Sequence, residues 1–401
     1  MEIAFFTDSY PPMQDGVAAV TDGLARTLLR LGHSVHVYAP NPVPGRASEE
    51  NIHGVTVRRI RTLPVPLYGQ YRWPLWPFGL LRTARGVPDA DVIHLHSPGP
   101  LGTMAFLASR RFRLPLVGTF HTNLREMQES VPAKFLVPQF FRFAGWWNLG
   151  TYWRCDVATA PSSAARDVLL EGARKPFHRS VEVVPNGIDV ERFRPGATVP
   201  DWRARCGLAS APLVTYLGRL TVDKGIHRFV DAVEASVART DLVAIVAGQG
   251  PEEGRLRERI AANPALASRL RYVGPVAESE KAALLSQSDL FVLPSTSDTS
   301  SVALLEAMAC GTPVIAPSAG GAAEIVADGR TGWTVPVTEP DALATALIRA
   351  LDDPGARRAA GVRAAEFVRT TASLETMARR FISLYRLVGE EGPSRDVGVP
   401  G

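Results

Sequence analysis

Cysteine is scarce: Cys155, Cys206 and Cys310 stand far apart in 401 residues, with no CxxC pair among them. That excludes a disulfide framework and a cysteine zinc site, and leaves them as small buried hydrophobes. Long apolar runs are also missing; none reaches the ~18 uninterrupted residues that a membrane-spanning helix requires. The chain enters a strand-like run at once, Met1-Glu2-Ile3-Ala4-Phe5-Phe6, with no basic segment or cleavage site before it. The expectation is a cytoplasmic protein, or one seated on the inner face of the plasma membrane. Metal-ligating clusters are absent too. Asp89-Ala90-Asp91 has the form of a metal-binding DxD, but it precedes the strand-like Val92–Leu95 and so lies at a strand's amino end. Gly248-Gln249-Gly250 with Gly254 lacks both GxGxxG spacing and the acidic residue that follows in dinucleotide folds. Neither a metal nor an organic cofactor is expected, and no nucleic-acid partner.

The chain has 46% apolar and 21% charged residues, the balance of a soluble globular protein. Its length suits two domains of roughly 150–200 residues each. The net charge of +4 hides an asymmetry. Residues 1–185 carry 20 Lys and Arg against 14 Asp and Glu, residues 186–401 carry 24 against 26, and residues 51–150 carry 12 against 4. A basic first half beside a slightly acidic second half implies different partners for the two.

Apolar strand-like runs alternate with helix-period segments, the pattern of parallel α/β architecture. Ile3–Thr7 reads as a buried strand, and Val17, Val20, Leu24, Leu28 and Leu31 then fall on one helical face. Strand candidates follow at Ser34–Ala39, Val92–Leu95, Pro115–Thr119, Val157–Thr159 and Val181–Val184. A second series runs through Pro212–Leu217, Val243–Ala247, Leu270–Val273, Leu290–Leu293 and Pro313–Ala316. Two series predict two Rossmann-like, doubly wound domains, 1–185 and 186–388, facing each other across a cleft, with a hinge at Val184–Pro195, where two prolines and an Asn-Gly turn gather. The last helix, about 372–388, is a candidate to return to the first domain. From Gly389 to Gly401 the composition predicts a disordered tail. Ligands in such sheets bind outside the carboxyl ends of the strands, so the loops after strands carry the weight.

Two such loops stand out. Gly218-Arg219-Leu220-Thr221-Val222-Asp223-Lys224-Gly225 follows the strand-like Leu213–Leu217. Arg219 offers a planar fork and Lys224 a point charge, five residues apart, so both can reach one diphosphate. The bland alternative is two solvated cations. After Leu290–Leu293, the loop Pro294–Ser300 opens a helix reading Ser301-Val302-Ala303-Leu304-Leu305-Glu306-Ala307-Met308-Ala309. Ser300 and Ser301 suit a cap, leaving amides to face an anion. Glu306 is a carboxylate among Leu304, Leu305 and Met308, suited to gripping the two hydroxyls of a ribose. Asp298, near the helix entrance, is placed for a sugar hydroxyl; the alternatives are a turn residue for Asp298 and a surface ion pair for Glu306.

The combination resembles the retaining glycosyltransferases of family 4, whose signature is a GR-x-x-x-x-KG-like loop followed by E-x7-E within PS-x-x-E…LEAMA-x-G-x-PV. Here stand Pro294-Ser295, Asp298 and Leu305-Glu306-Ala307-Met308-Ala309-Cys310-Gly311-Thr312-Pro313-Val314. The resemblance covers nearly the whole length. It implies the GT-B fold and a hexosyltransferase taking a UDP- or GDP-linked sugar. It further implies that Asp298 holds the donor sugar, that Glu306 holds the ribose, and that Arg219 and Lys224 hold the diphosphate. Two departures are visible: the first carboxylate is usually Glu, and the Phe-Gly that follows it in the family is replaced by Ser300-Ser301. The matching part of the first half is Asp8-Ser9-Tyr10-Pro11-Pro12-Met13-Gln14-Asp15-Gly16, in which Gly16 takes the place of the family's diphosphate-contacting glycine. Phe120-His121-Thr122-Asn123 matches the family's HTN position, which implies that His121 hydrogen-bonds the donor sugar. His94 and His96 rank behind it, as acceptor-side or structural groups. Membership implies retention of anomeric configuration by a front-face transfer.

For the acceptor, residues 135–153, FLVPQFFRFAGWWNLGTYW, hold eight of the 31 aromatics, flanked by Lys134 and Arg154 and containing Arg142. Such a segment suits either a membrane interface or a core helix. With the basic excess over 51–150 it predicts attraction to anionic lipid, and the opening motif looks most like the branch that glycosylates diacylglycerol or phosphatidylinositol-type lipids. The rivals are a glycosyltransferase with a soluble acceptor, a natural product or saccharide, a nucleotide-sugar 2-epimerase on the same fold, and a binding module without catalysis.

Overall fold

The computed structural model describes residues 1–13, 15–43, 49–65, 68–74, 87, 89–121, 147, 149–173, 176–177, 179–208, 211–296, 298–339 and 341–392. The chain divides into two compact units, Met1–Gly187 with Leu374–Gly401, and Ile188–Ser373. The aromatic stretch 135–153 lies largely outside the described residues.

The first unit is built on β1 (Glu2–Phe6), β2 (Ser34–Pro40), β3 (Glu49–Ile52), β4 (Val55–Ile60), β7 (Val92–Leu95), β8 (Leu116–Thr119), β9 (Val157–Ala160) and β10 (Glu182–Val183), with a separate ribbon of β5 (Thr62–Val65) and β6 (Tyr68–Pro74). Their order is β10-β9-β8-β7-β1-β2-β4-β3. Every pair is parallel except β3 with β4. All residues of β7, β8 and β9 are buried, as parallel strands covered on both faces must be. The helix Gly16–Arg30 starts where the Asp15 carboxylate accepts the Ala18 amide at 2.9 Å, and it buries Val20, Leu24 and Leu28. The last helix, Leu374–Glu391, presents Leu374, Met377, Phe381, Tyr385 and Val388 inward at helical spacing. It packs on this unit closely enough that a Cβ at Gly23 would meet Leu374 Cδ2 at 2.8 Å. It also continues two residues beyond Gly389, where the composition predicts a tail; residues 393–401 lie outside the described set.

The second unit contains β11 (Leu213–Leu217), β12 (Val243–Ala247), β13 (Leu270–Gly274), β14 (Leu290–Val292), β15 (Val314–Pro317) and β16 (Gly332–Val335). They are ordered β13-β12-β11-β14-β15-β16, and all are parallel. The strand order therefore reverses between β11 and β14, and in the first unit between β1 and β7. In open parallel sheets that reversal is where a ligand sits, outside the carboxyl ends. The strands that the apolar runs do not predict lie at a sheet edge (β3, β16), next to one (β4) or in the separate ribbon (β5, β6). In β4, Arg58 and Arg59 stand side by side between Val57 and Ile60, and Arg59 is buried with its guanidinium meeting Glu50 at 2.5 Å and the Pro40 carbonyl at 3.2 Å.

Phe381 is fully buried and touches His94 and Tyr385. Phe381→Ala is expected to cost about 3–5 kcal/mol, read as an earlier urea unfolding transition of the first unit.

Candidate functional site

The two loops singled out in the sequence leave neighbouring strands of the second unit, β11 and β14, at the strand-order reversal. The loop after β11 is held by its own backbone and by the turn after β12. Gly218 N–H donates to Ala247 O at 3.1 Å, Leu220 N–H to Gln249 O at 3.0 Å, and the buried Tyr216 hydroxyl to Arg219 O at 2.8 Å. Gly248-Gln249-Gly250, which has no cofactor spacing, is the support: a Cβ at Gly248 would lie 1.9 Å from Gly218 O, and one at Gly250 2.4 Å from Leu220 O.

The loop after β14 is clamped to the first. Thr296 N–H and Ser295 Oγ both donate to Asp223 O, at 3.0 and 3.3 Å. Gly225 has φ 74°, and a Cβ there would stand 2.1 Å from Pro294 O, so only glycine fits. On the far side, a Cβ at Gly321 would meet Thr299 O at 2.1 Å. This brings Lys224 and Asp298 together as an ion pair, Nζ to Oδ1, with side chains 14% and 15% exposed. Arg219 stands apart from them: its side chain is 58% exposed and lies 3.9 Å from Asp223 Oδ2. The two cations that the spacing treats alike thus have different surroundings.

Ser301 caps the helix Val302–Ala309, accepting the Leu304 amide at 3.4 Å, while Ser300 is half-buried beside it. Glu306 is buried inside that helix, and burial pushes its carboxyl up to about 7. The surface ion pair weighed for Glu306 does not form among the described residues. Its charged surroundings are Lys281 and Arg192, which favour the carboxylate, and Glu278, which opposes it. Arg192 Nη2 meets Glu278 Oε2 at 3.1 Å, and Lys281 pairs with the same carboxylate. Sequence reasoning missed these three; the only signal was a mixed-charge helix start, Glu278-Ser279-Glu280-Lys281.

In the first unit the strand ends carry imidazoles. His121 follows β8 and is buried, its Nε2 3.1 Å from His96 Nδ1. Burial pushes it down to about 4, and His96 and His94 fall well below their ordinary value for the same reason. His94 is structural, with Nδ1 2.6 Å from the Tyr385 hydroxyl and Nε2 2.7 Å from Thr119 Oγ1. His96 Nε2 is buried without a hydrogen-bond partner. Gly16 is exposed at the start of its helix, behind the Asp15 cap, which also accepts the Ser9 hydroxyl. The DxD-like segment is peripheral: Asp89 and Asp91 are exposed, and Asp91 Oδ2 accepts the Glu2 amide at 2.8 Å.

Residues 14–192 match the family described as Glycosyltransferase Family 4, and residues 211–353 match that described as Glycosyl transferases group 1. The chain is similar to a GDP-mannose-dependent alpha-mannosyltransferase of Mycobacterium tuberculosis, 31% identical over 350 residues, covering 86% of this chain and 87% of that one. It is likewise similar to a phosphatidyl-myo-inositol mannosyltransferase of Mycolicibacterium smegmatis, 30% identical over 360 residues, covering 88% and 85%. Among solved structures, Anabaena HepE in complex with UDP superposes with a TM-score of 0.76 at 20% identity, covering 96% of this chain and 100% of that one, which establishes the GT-B fold.

Two pH effects follow from the buried groups. Glu306 holds its proton to about pH 7 in the fold, against 4.5 for an ordinary glutamate, so its contribution to stability is lost as pH rises through that window. Glu306→Gln should melt with wild type near pH 4.5 and later than wild type at pH 8, a gap of about 3 kcal/mol; equal melting at pH 8 would contradict it. The imidazoles work the other way. His121 stays neutral down to about pH 4, against 6.5 for an ordinary imidazole, so melting of the first unit should fall as pH drops from 6.5 towards 4.

Proposed function

The chain belongs to glycosyltransferase family 4, and from that premise we propose that it moves a hexosyl group from a UDP- or GDP-linked sugar to a lipid hydroxyl with retention of configuration. The observation that supports this reading is the Lys224–Asp298 pair in the loops leaving the neighbouring strands β11 and β14, the second of which opens the Ser301-capped helix that carries Glu306. In this reading the diphosphate takes Lys224 and the exposed Arg219, assisted by the amides that open the helix Val302–Ala309. Glu306 accepts the ribose hydroxyls, and Asp298 accepts a hydroxyl of the donor sugar through Oδ2. Ser300 and Ser301 line the helix entrance, where the family carries Phe-Gly.

The transfer is a front-face exchange. The bond from the anomeric carbon to the phosphate oxygen breaks, and the bond to the acceptor oxygen forms on the same face. The acceptor's proton passes to the leaving phosphate oxygen, and the negative charge that builds there is stabilised by Lys224 and Arg219. His121, kept neutral by burial, takes part as a hydrogen-bonding group. A lipid acceptor is supported by the phosphatidyl-myo-inositol mannosyltransferase relative and by the basic first half. A peripheral membrane location is the corresponding reading; among the described residues no helix is long and apolar enough to cross a membrane.

The test incubates the protein with UDP-glucose, UDP-GlcNAc or GDP-mannose, with and without phospholipid vesicles. A glycolipid product of retained anomeric configuration is expected, and Lys224→Ala should lower kcat/KM by about 10²–10³-fold. An inverted product overturns retention, transfer to water-soluble acceptors alone overturns the lipid reading, and epimerised sugar without acceptor favours a 2-epimerase.

A further inference from the structure

Of the two cations in the loop after β11, Arg219 is open to solvent, 58% exposed, and only loosely approached by an acid, whereas Lys224 is 14% exposed and already paired. Its partner is Asp298, whose second oxygen, Oδ2, is buried without a hydrogen-bond partner. Backbone contacts fix the pairing: the Pro294 carbonyl sits against Gly225, the Thr299 carbonyl against Gly321, and Thr296 N–H bonds to Asp223 O at 3.0 Å.

Resting on the reading of this site as the donor site, we propose that Asp298 is the resident counter-ion of Lys224, and that it favours the nucleotide sugar over the free nucleoside diphosphate. A half-desolvated ammonium left alone is costly, so an empty site needs the carboxylate. An incoming diphosphate competes with that carboxylate for one cation and brings its own negative charge close to it. A nucleotide sugar suffers the same competition but returns something, a sugar hydroxyl that can donate to the orphaned Oδ2. The free diphosphate has no such hydroxyl, carries more negative charge, and gains nothing from Oδ2. The carboxylate therefore weakens product binding more than donor binding and promotes exchange of one for the other.

The test is calorimetric titration of UDP and GDP, and of UDP-glucose and GDP-mannose, into the full chain. Asp298→Asn keeps the shape and removes the charge; it is expected to bind the free diphosphate about tenfold more tightly than wild type. Its ratio of nucleotide-sugar to diphosphate affinity should fall. Asp298→Glu, which restores the charge, should return diphosphate affinity towards wild type. In a Lys224→Ala background, the added Asp298→Asn change relieves only the direct charge repulsion, so the gain in diphosphate affinity should be smaller. Thermal melts check that each variant is folded, and Asp298→Ala serves as a second charge-free variant. Unchanged or weaker diphosphate binding by the charge-free variants overturns the counter-ion role, as does an equal gain in the Lys224→Ala background. A wild-type protein that binds neither nucleotide overturns the donor-site reading itself, and this inference with it.

Discussion

The close approach of two backbone segments, the loop leaving β11 and the loop leaving β14, is the constraint on which the candidate site depends. Parallel neighbours in a sheet lie about 4.8 Å apart, so loops rising from adjacent strand ends compete for one volume. Here the carbonyl of Pro294 occupies the place of a side chain at residue 225, and the carbonyl of Gly218 does the same at residue 248. Glycine at both positions lets the backbones close, and hydrogen bonds to the Asp223 carbonyl hold them shut. Lys224 and Asp298 meet across these closely packed loops.

Burial governs the remaining chemistry. Glu306 lies inside an apolar helix, where an ionised carboxylate is penalised, and Lys281 and Arg192 offset part of that penalty. Three imbricated imbalances of this kind occur in the first unit, where His94, His96 and His121 are all held neutral. His94 has both ring nitrogens engaged and ties the last helix to the sheet through Tyr385. His121 and His96 engage each other, and His96 Nε2 is buried without a hydrogen-bond partner. One unit thus offers neutral polar groups at its strand ends, and the other a charged pair with a protonatable carboxylate.

Much of this was legible in one dimension. Continuous apolar runs such as Val243–Ala247 mark strands buried on both faces, and the period of Val20, Leu24 and Leu28 marks a helix with one face inward. The strands at or next to the sheet edges were not legible, because β4 mixes arginine with valine and β16 is only Gly332–Val335. Within the site, Arg219, Lys224, Asp298, Ser301 and Glu306 all stood out by type and by their place after a strand. Arg192, Glu278 and Lys281 did not, since each looks like an ordinary surface charge until Glu306 is placed near them. The pairing of Gly321 with the Thr299 carbonyl was equally invisible, because those residues are joined only through the packing of β14 beside β15.

The sequence by itself determined the alternation of strand and helix, the glycines where loops must close, and the residue types that can bind a nucleotide sugar. These are local matters, decided by periodicity, by the conformational freedom of single residues and by functional-group chemistry. Only the tertiary structure decided that Lys224 meets Asp298 while Arg219 stays in solvent, that burial raises the Glu306 carboxyl, and that burial keeps His121 neutral. Desolvation and ion pairing depend on what surrounds a group in three dimensions, and residues 74 positions apart in the chain share a contact only once the strands have paired.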